Sequence, residues 1–401
     1  MNDLILRNAT LPGGETATIA IAGQRIAAID RTGHSPVSGG AELDLRGALV
    51  LPGLVDGHIH LDKTYLGDGW HSHRPSTSIV AHVAAERQER HALAPVEQRA
   101  SALIERAITN GTTILRTHAD IDPVSGLSNL DGILAARERY RDAITIQVVA
   151  FPQSGIIAAP GTYDLLDEAL RCGADLIGGL DPAGFDNDVD GHLEAIFGLA
   201  DRHSVGVDIH LHDAGDVGLA ELQQIAERAV ALGMQGRVTV GHAYALGTEP
   251  WRRVAPVAEA LASAGVSIMT TAPGSHAFPP VLALRAAGVN VFAANDNIRD
   301  SWSPFGEADM LERMMLVAYR SGFTTDAELD VAFDLGTNAA ARALGIEGYG
   351  LAVGNPADLV VLDARHVAEA VVARPPRRYV MRHGVIVAQD GMLTTGSGEM
   401  T

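Results

Sequence analysis

The chain is predicted to fold as an α/β protein, a TIM (β/α)8 barrel with a small β-domain built from both chain ends. Two observations predict the barrel and a third predicts its companion. Strand-like apolar segments alternate eight times with amphipathic helical segments between residues 51 and 347, the pattern of a parallel sheet whose crossovers are helices. Histidines and an aspartate fall at the carboxyl ends of different predicted strands, and that rim is where a TIM barrel carries its chemistry. Residues 1–50 and 348–401 read instead as short strands joined by tight turns.

In chain order, Leu4-Ile5-Leu6, Ala17–Ile21 and Arg25–Ile29 form a predicted β-meander, the N-terminal part of the small domain. The barrel is predicted over 51–347. Its first strand is an apolar run that opens on Ala48-Leu49-Val50-Leu51 and closes at His60. Strand side chains alternate between faces, so His58 and His60, two apart, project to one side. Two imidazoles there make two legs of a site for zinc or ferrous iron, whereas calcium or magnesium would want oxygen ligands. The polar loop Thr64–Ser78, rich in Gly and His, is either an active-site cover or an ordinary surface loop. A helical pattern runs from Ser78 to Asn110 and stops at the C-cap signal Asn110-Gly111. The remaining strands are predicted at Thr112–Thr117, Ile144–Phe151, Asp175–Leu180, Gly206–Leu211, Arg237–His242, Val266–Thr271 and Asn290–Ala294. A doubly wound open sheet is the alternative, but no Gly-x-Gly-x-x-Gly turn follows an early strand. After a final helix near Asp326–Leu344, the stretches Val353–Leu362, Tyr379–Met381 and Val385–Ala388 complete the β-domain over 348–401.

Composition narrows the function. With 401 residues, 47% of them hydrophobic, the chain can bury a large core. A formal net charge of −19 would repel phosphate backbones, which excludes nucleic acid as a partner. The single cysteine, Cys172, rules out an internal disulfide framework. The N-terminus lacks a basic region followed by an apolar core, and no apolar run approaches the roughly 18 residues of a membrane helix. The expectation is a cytoplasmic protein with no membrane partner. Lys63 is the only lysine in the chain, three residues past the His-x-His pair. An arginine-favouring genome accounts for the bias but not for this position, where a compact ammonium can reach a site that a planar guanidinium cannot.

The candidate site gathers His58 and His60 from strand one, His210 and His212 from strand five, His242 from strand six and Asp296 from strand eight. A lone strand-end histidine is more often a hydrogen-bonded core residue than a ligand, but here they share one rim. Taken with Gly57–Lys63, Arg116–Asp120, Gln147–Gln153, Asp208–His210, Gly241-His242 and the closing Gly354–Val360, the chain resembles the amidohydrolase superfamily, in its cytosine-deaminase-like branch. Gly178–Ala183, His210–Asp213 and Asp296–Asp300 leading to Trp302 resemble that branch's aminotriazine-degrading members. Asp213 and Asn297 replace a Glu and an Asp of cytosine deaminase itself, which weighs against direct cytosine deaminase activity.

The resemblance implies that His58, His60, His210 and Asp296 hold one divalent metal, Zn2+ or Fe2+. The carboxylated lysine of binuclear relatives is not available, since Lys63 is the only lysine. Such a metal brings the pKa of its water towards about 7, and the hydroxide would attack a ring carbon bearing an amino group. Asp296 would take the water's proton, His242 would stabilise the developing charge, and either Asp213 or His212 would pass a proton to the ring or leaving nitrogen. Gln153 would read a ring amide or simply cap its loop. Lys63 would face an anionic ring oxygen, Asp181 would accept from a ring N–H, Asn297 would line the substrate site, and Trp302 would wall the pocket or be plain core. His118 reads as a structural residue behind the ligands, and His71, His73, His82 and His91 as surface. The expected activity is hydrolytic loss of ammonia or an alkylamine from a small N-heterocycle, with homo-oligomers as in relatives. A cyclic amidase that opens a ring amide is the alternative, and a non-catalytic scaffold would require missing ligands.

Overall fold

Eight parallel strands, Leu54–Ile59, Thr112–Asp120, Thr145–Phe151, Leu176–Leu180, Gly206–Leu211, Val238–His242, Ser267–Thr270 and Asn290–Ala293, pair each with the next in chain order. They belong to a computed structural model that describes residues 2–32, 39–73, 78–89, 92–274 and 276–394. The ring closes between its last and first strands, where Ile59 bridges Asp296 and the Asp296 N–H donates to the His58 carbonyl at 2.8 Å. Gly57 permits that approach, since a Cβ there would stand 2.5 Å from the Phe292 ring of the eighth strand. Helices such as Val96–Thr109, Val189–His203 and Gly215–Ala231 pack outside, burying Leu103, Ile196 and Leu222 against the strands in one apolar core.

The chain ends build a second sheet, in the order Met392–Leu393, Val385–Gln389, Arg377–Arg382, Leu359–Leu362, Leu49–Pro52, Leu4–Thr10, Thr16–Ala22, Arg25–Asp30, with Ala41–Asp44 also on Leu4–Thr10. The predicted first barrel strand is therefore two strands. Leu49–Pro52 pairs antiparallel with Leu359–Leu362 in this sheet, and the barrel begins only after Gly53, at Leu54. Both pieces are buried on both faces, and only Pro52-Gly53 marks the break between them. Leu49 and Leu51 turn into the barrel core and Val50 into the small sheet's own core, the alternation expected of a strand between two apolar layers.

Other boundaries moved too, and the predicted final helix Asp326–Leu344 is two helices, Asp326–Leu335 and Asn338–Ala343. The predicted helix from Ser78 to Asn110 is two helices, Ile79–Glu89 and Val96–Thr109. Pro95 stands at the second N-cap with extended ψ of 143°; its ring would clash with a carbonyl in a helix interior but is tolerated at a start. The second strand runs past its predicted end at Thr117 to Asp120, with His118, Ala119 and Asp120 paired to Val149, Ala150 and Phe151.

Candidate active site

The buried cluster at the carboxyl rim starts from the barrel seam. His58 is the last residue but one of the first strand, His60 follows the strand directly, and Asp296 follows the eighth. The Nε2 atoms of His58 and His60 lie 3.4 and 3.3 Å from Asp296 Oδ1, and His60 Nε2 lies 3.2 Å from His210 Nε2. His242 Nε2 stands 4.0 Å from Asp296 Oδ2. Gly241 makes room for this packing, with a Cβ there only 3.2 Å from His58 Cε1.

Beside the cluster, Arg116 donates to Asp208 at 2.9 Å and also donates to Gln147. His118, whose ring is 4.1 Å from that of His58, directs Nε2 at Asp208 Oδ1 at 3.4 Å. His118 also falls within ligand-atom range of His58, His60 and His210, while a second such group is His58, His210, His242 and Asp296.

These side chains fit a cation. Both ring nitrogens of His58 and His242, the Nδ1 atoms of His60 and His210, and Asp296 Oδ1 are buried without a hydrogen-bond partner among the described residues. Buried polar atoms left so are costly unless something else satisfies them. Burial, with Lys63 nearby, holds the His60 imidazolium pKa well below the usual histidine range. Burial and the crowd of other imidazoles do the same to His210 and His242. Neutral imidazole is the form that ligates. Burial alone would raise the Asp296 carboxyl, but the His58 and His60 rings against it, with His242, hold it well below the carboxylate range. The donor set of three imidazoles and one carboxylate suits zinc or ferrous iron better than calcium or magnesium.

Backbone strain marks the same rim. Asp181, His242 and Asp296 have φ of 34°, 67° and 63°, left-handed values that non-glycine residues rarely adopt and that cluster at functional sites.

His212 and Asp181 form one unit beside the cluster. Asp181 accepts from the His212 backbone N–H at 2.5 Å and faces His212 Nδ1 at 2.9 Å, so both carboxylate oxygens are on His212. The His212 ring stacks on His242, with centroids 4.4 Å apart. Burial opposes charge on His212, but Asp181, with Asp296 and Asp213 behind it, outweighs burial and raises the imidazole pKa. Asp213 turns to Gly184, whose N–H donates to it at 2.9 Å.

On the other side, Lys63 donates to Gln153 Oε1 at 2.6 Å and faces Asp120 at 3.5 Å and Glu86 at 3.7 Å. Its ammonium is 5.5 Å from the Trp302 ring centroid, and the Trp302 indole donates to Glu86 at 3.3 Å. Asn297 donates to Asp300 at 2.6 Å. Three of the histidines read as surface correct that reading. His71, His73 and His82 are part-buried, with His73 on the Asp300 carbonyl and the His82 ring 4.0 Å from that of Trp302. His91 lies outside the described residues. A cavity of about 300 Å³ is lined by Tyr65, Trp70, His71, Arg299 and Pro304, and none of His58, His60, His210 or Asp296 lines it.

Sequence reasoning missed Glu86, Asp120 and Glu221. Asp120 carried a signal, since it lies two residues beyond His118 on the same strand face. Glu86 and Glu221 carried none, being acids on helices whose partners come from remote loops.

A closed parallel barrel with a His-x-His at the end of its first strand, histidines on the fifth and sixth, and an aspartate at the seam of the eighth defines a metal-binding hydrolase barrel. The chain belongs to the amidohydrolase family, whose sequence pattern matches residues 41–388. It is 35% identical over 402 residues to N-isopropylammelide isopropyl amidohydrolase of Pseudomonas sp. (strain ADP), covering 98% of each chain. The crystal structure of N-isopropylammelide isopropylaminohydrolase from Burkholderia multivorans superposes with a TM-score of 0.94 at 43% identity, over 98% of this chain and 100% of that one. The 5-methylcytosine deaminase of Klebsiella pneumoniae, liganded with 5-fluorocytosine, gives 0.86 at 28% identity, over 96% and 97%. No helix among the described residues is long and apolar enough to cross a membrane.

Proposed function

We propose that the protein is a metal-dependent hydrolase that removes ammonia or an alkylamine from an amino-substituted N-heterocycle, an aminotriazine or aminopyrimidine, leaving the ring closed. The observation that carries this is the orphaned, buried set of imidazole nitrogens and Asp296 Oδ1 at the barrel seam, in a chain so similar to enzymes named for such heterocycles. His58, His60, His210 and Asp296 hold one divalent ion, zinc or ferrous iron. When bound, that ion supplies nucleophilic oxygen at neutral pH and polarises the reacting carbon.

The chain's residues do the rest. Asp296 accepts a proton at Oδ2, on the side that faces His242. His242 donates a hydrogen bond to the oxygen that gains charge as the ring carbon becomes tetrahedral. Asp181 holds His212 Nδ1–H, which fixes the tautomer and leaves Nε2 as the nitrogen that gives a proton to the departing amine. Asp181 raises the His212 imidazole pKa against the opposing effect of burial. Asp213, which accepts from the Gly184 N–H, is the less favoured carrier. Lys63 and Gln153, joined at 2.6 Å, form the edge that reads a ring carbonyl and its neighbouring N–H, with Trp302 packing over Lys63. Asn297, between Asp296 and Asp300, completes the wall.

The test is release of ammonia or amine from a panel of aminopyrimidines, N-alkylaminotriazines and pterins by metal-loaded and metal-free protein. Turnover of at least one closed-ring amine only in the loaded sample supports the reading. Turnover confined to ring-opening substrates transfers the protein to the cyclic amidases.

A further inference from the structure

A buried acid lies behind His212 and outside the proposed chemistry. Glu221, on the helix Gly215–Ala231, is only 1% exposed. Its Oε1 accepts from the Ala183 N–H at 2.8 Å, in the turn that follows the fourth strand and carries Asp181. Its Oε2 is buried without a hydrogen-bond partner among the described residues, and the carboxyl beside it is Asp213. Asp213 in turn accepts from the next amide of that turn, Gly184 N–H, at 2.9 Å. Two carboxyls thus share two consecutive amides of one turn, and the turn's first residue, Asp181, holds His212 by both oxygens.

Two carboxylates held on consecutive amides, one of them buried, disfavour each other's charge. The arrangement is satisfied when Glu221 keeps its proton and presents the O–H to Asp213, which also fills the orphaned Oε2 position. We propose that Glu221 is a positioning residue for the reaction, a buried carboxylic acid that shares its proton with Asp213 and, through Ala183, pins the turn by which Asp181 aims His212. The proposal rests on the functional reading above and deepens it.

The charged groups facing Glu221 are Asp213, from the end of the fifth strand, and Asp181, from the turn after the fourth, with His212 beyond Asp181. Burial first, and then the two carboxylates, push the Glu221 carboxyl up to about 8. Above that pH a third negative charge appears in the cluster, and repulsion loosens the turn. His212 then loses its aim, and the rate falls while substrate binding on the Lys63 side is little touched.

The experiment compares full-length, metal-loaded wild type with E221Q and E221A, in kcat and KM from pH 6 to 9, in metal content, and in the infrared C=O stretch of protonated carboxyls. The proposal expects a carboxyl band that titrates away near pH 8 and is missing in E221Q. It expects E221A to lose about 100-fold in kcat, the scale of a misplaced catalytic group, with KM and metal content little changed. E221Q, which keeps the acceptor for Ala183 and a donor for Asp213, should recover most of that loss and lack the alkaline fall. A band untouched by E221Q, or E221A with the wild-type rate and pH profile, overturns the proposal. Should E221A fail to fold, the band and the E221Q profile decide alone. A wild type that shows the band but turns over no heterocycle refutes the functional reading and not the carboxyl's protonation, so the two failures are distinct.

Discussion

The Asp296 N–H donates to the His58 carbonyl at 2.8 Å, while the two side chains meet at 3.4 Å. The last hydrogen bond that closes the barrel is therefore made by the backbone of two residues whose side chains form the centre of the site. A cation held there ties the first strand to the eighth. Chelation should lower the thermal midpoint by several degrees, with re-addition of zinc or ferrous iron restoring it, since a ligand a hundredfold above its dissociation constant contributes about 3 kcal/mol. Differential scanning calorimetry of wild type and D296A checks this: D296A should melt at one temperature with or without metal.

His212 and Asp181 should act as a unit. H212A is expected to cost at least about 100-fold in kcat, the lower end for a lost general acid. D181N should cost a comparable factor by freeing the ring to take the wrong tautomer. The double variant should be hardly worse than either single one, because groups acting as one step are not additive. Steady-state kinetics of the three variants measures the coupling.

Lys63 is only 4% exposed, with Gln153, Asp120 and Glu86 around its ammonium. K63M is expected to raise KM by about 10–100-fold, the worth of one to two charge-assisted hydrogen bonds. K63R should not rescue it, since the planar fork does not fit where a compact ammonium fits. Equal KM values for K63R and wild type would remove Lys63 from substrate binding.

Asp300 offers a pH test. It is fully buried, accepting from the Trp302 and Ser303 N–H groups and from Asn297. Burial, with Glu86 adding repulsion, pushes its carboxyl up to about 7. An unfolded aspartate titrates near 4, so between about 4 and 7 the folded state binds the extra proton and stability falls as pH rises. D300N lacks that titration. Urea unfolding at a series of pH values should show the stability of D300N gaining on wild type from pH 5 to 8 and level below pH 4.

Much of this was legible in the residues because it rests on periodicity. Alternation of apolar strands and amphipathic helices specified the barrel, and the two-residue spacing of His58 and His60 specified a shared face. The fifth strand, Gly206–Leu211, begins and ends where the apolar run does, since turn residues bound it on both sides. The seam was less legible, because Leu49–Pro52 and Leu54–Ile59 are both fully buried and only Pro52-Gly53 marks the break between the two sheets they serve. The second strand's last turn towards the site was hidden by its own polarity at His118 and Asp120. Glu86 could not be found at all, because what makes it distinctive is the approach of its helix to Lys63 and Trp302, from loops that follow the first and eighth strands. Asp181 was expected at a ring N–H, and only the folded turn shows both its oxygens on His212.

The most direct test of the central claim is the mass of the ring product after reaction in water enriched in oxygen-18. The metal-loaded protein should release an intact ring in which one oxygen-18 atom has replaced one amino group, and neither metal-free protein nor H58A should form it. A product that keeps its amino nitrogen and has gained the elements of water by ring opening would contradict the account.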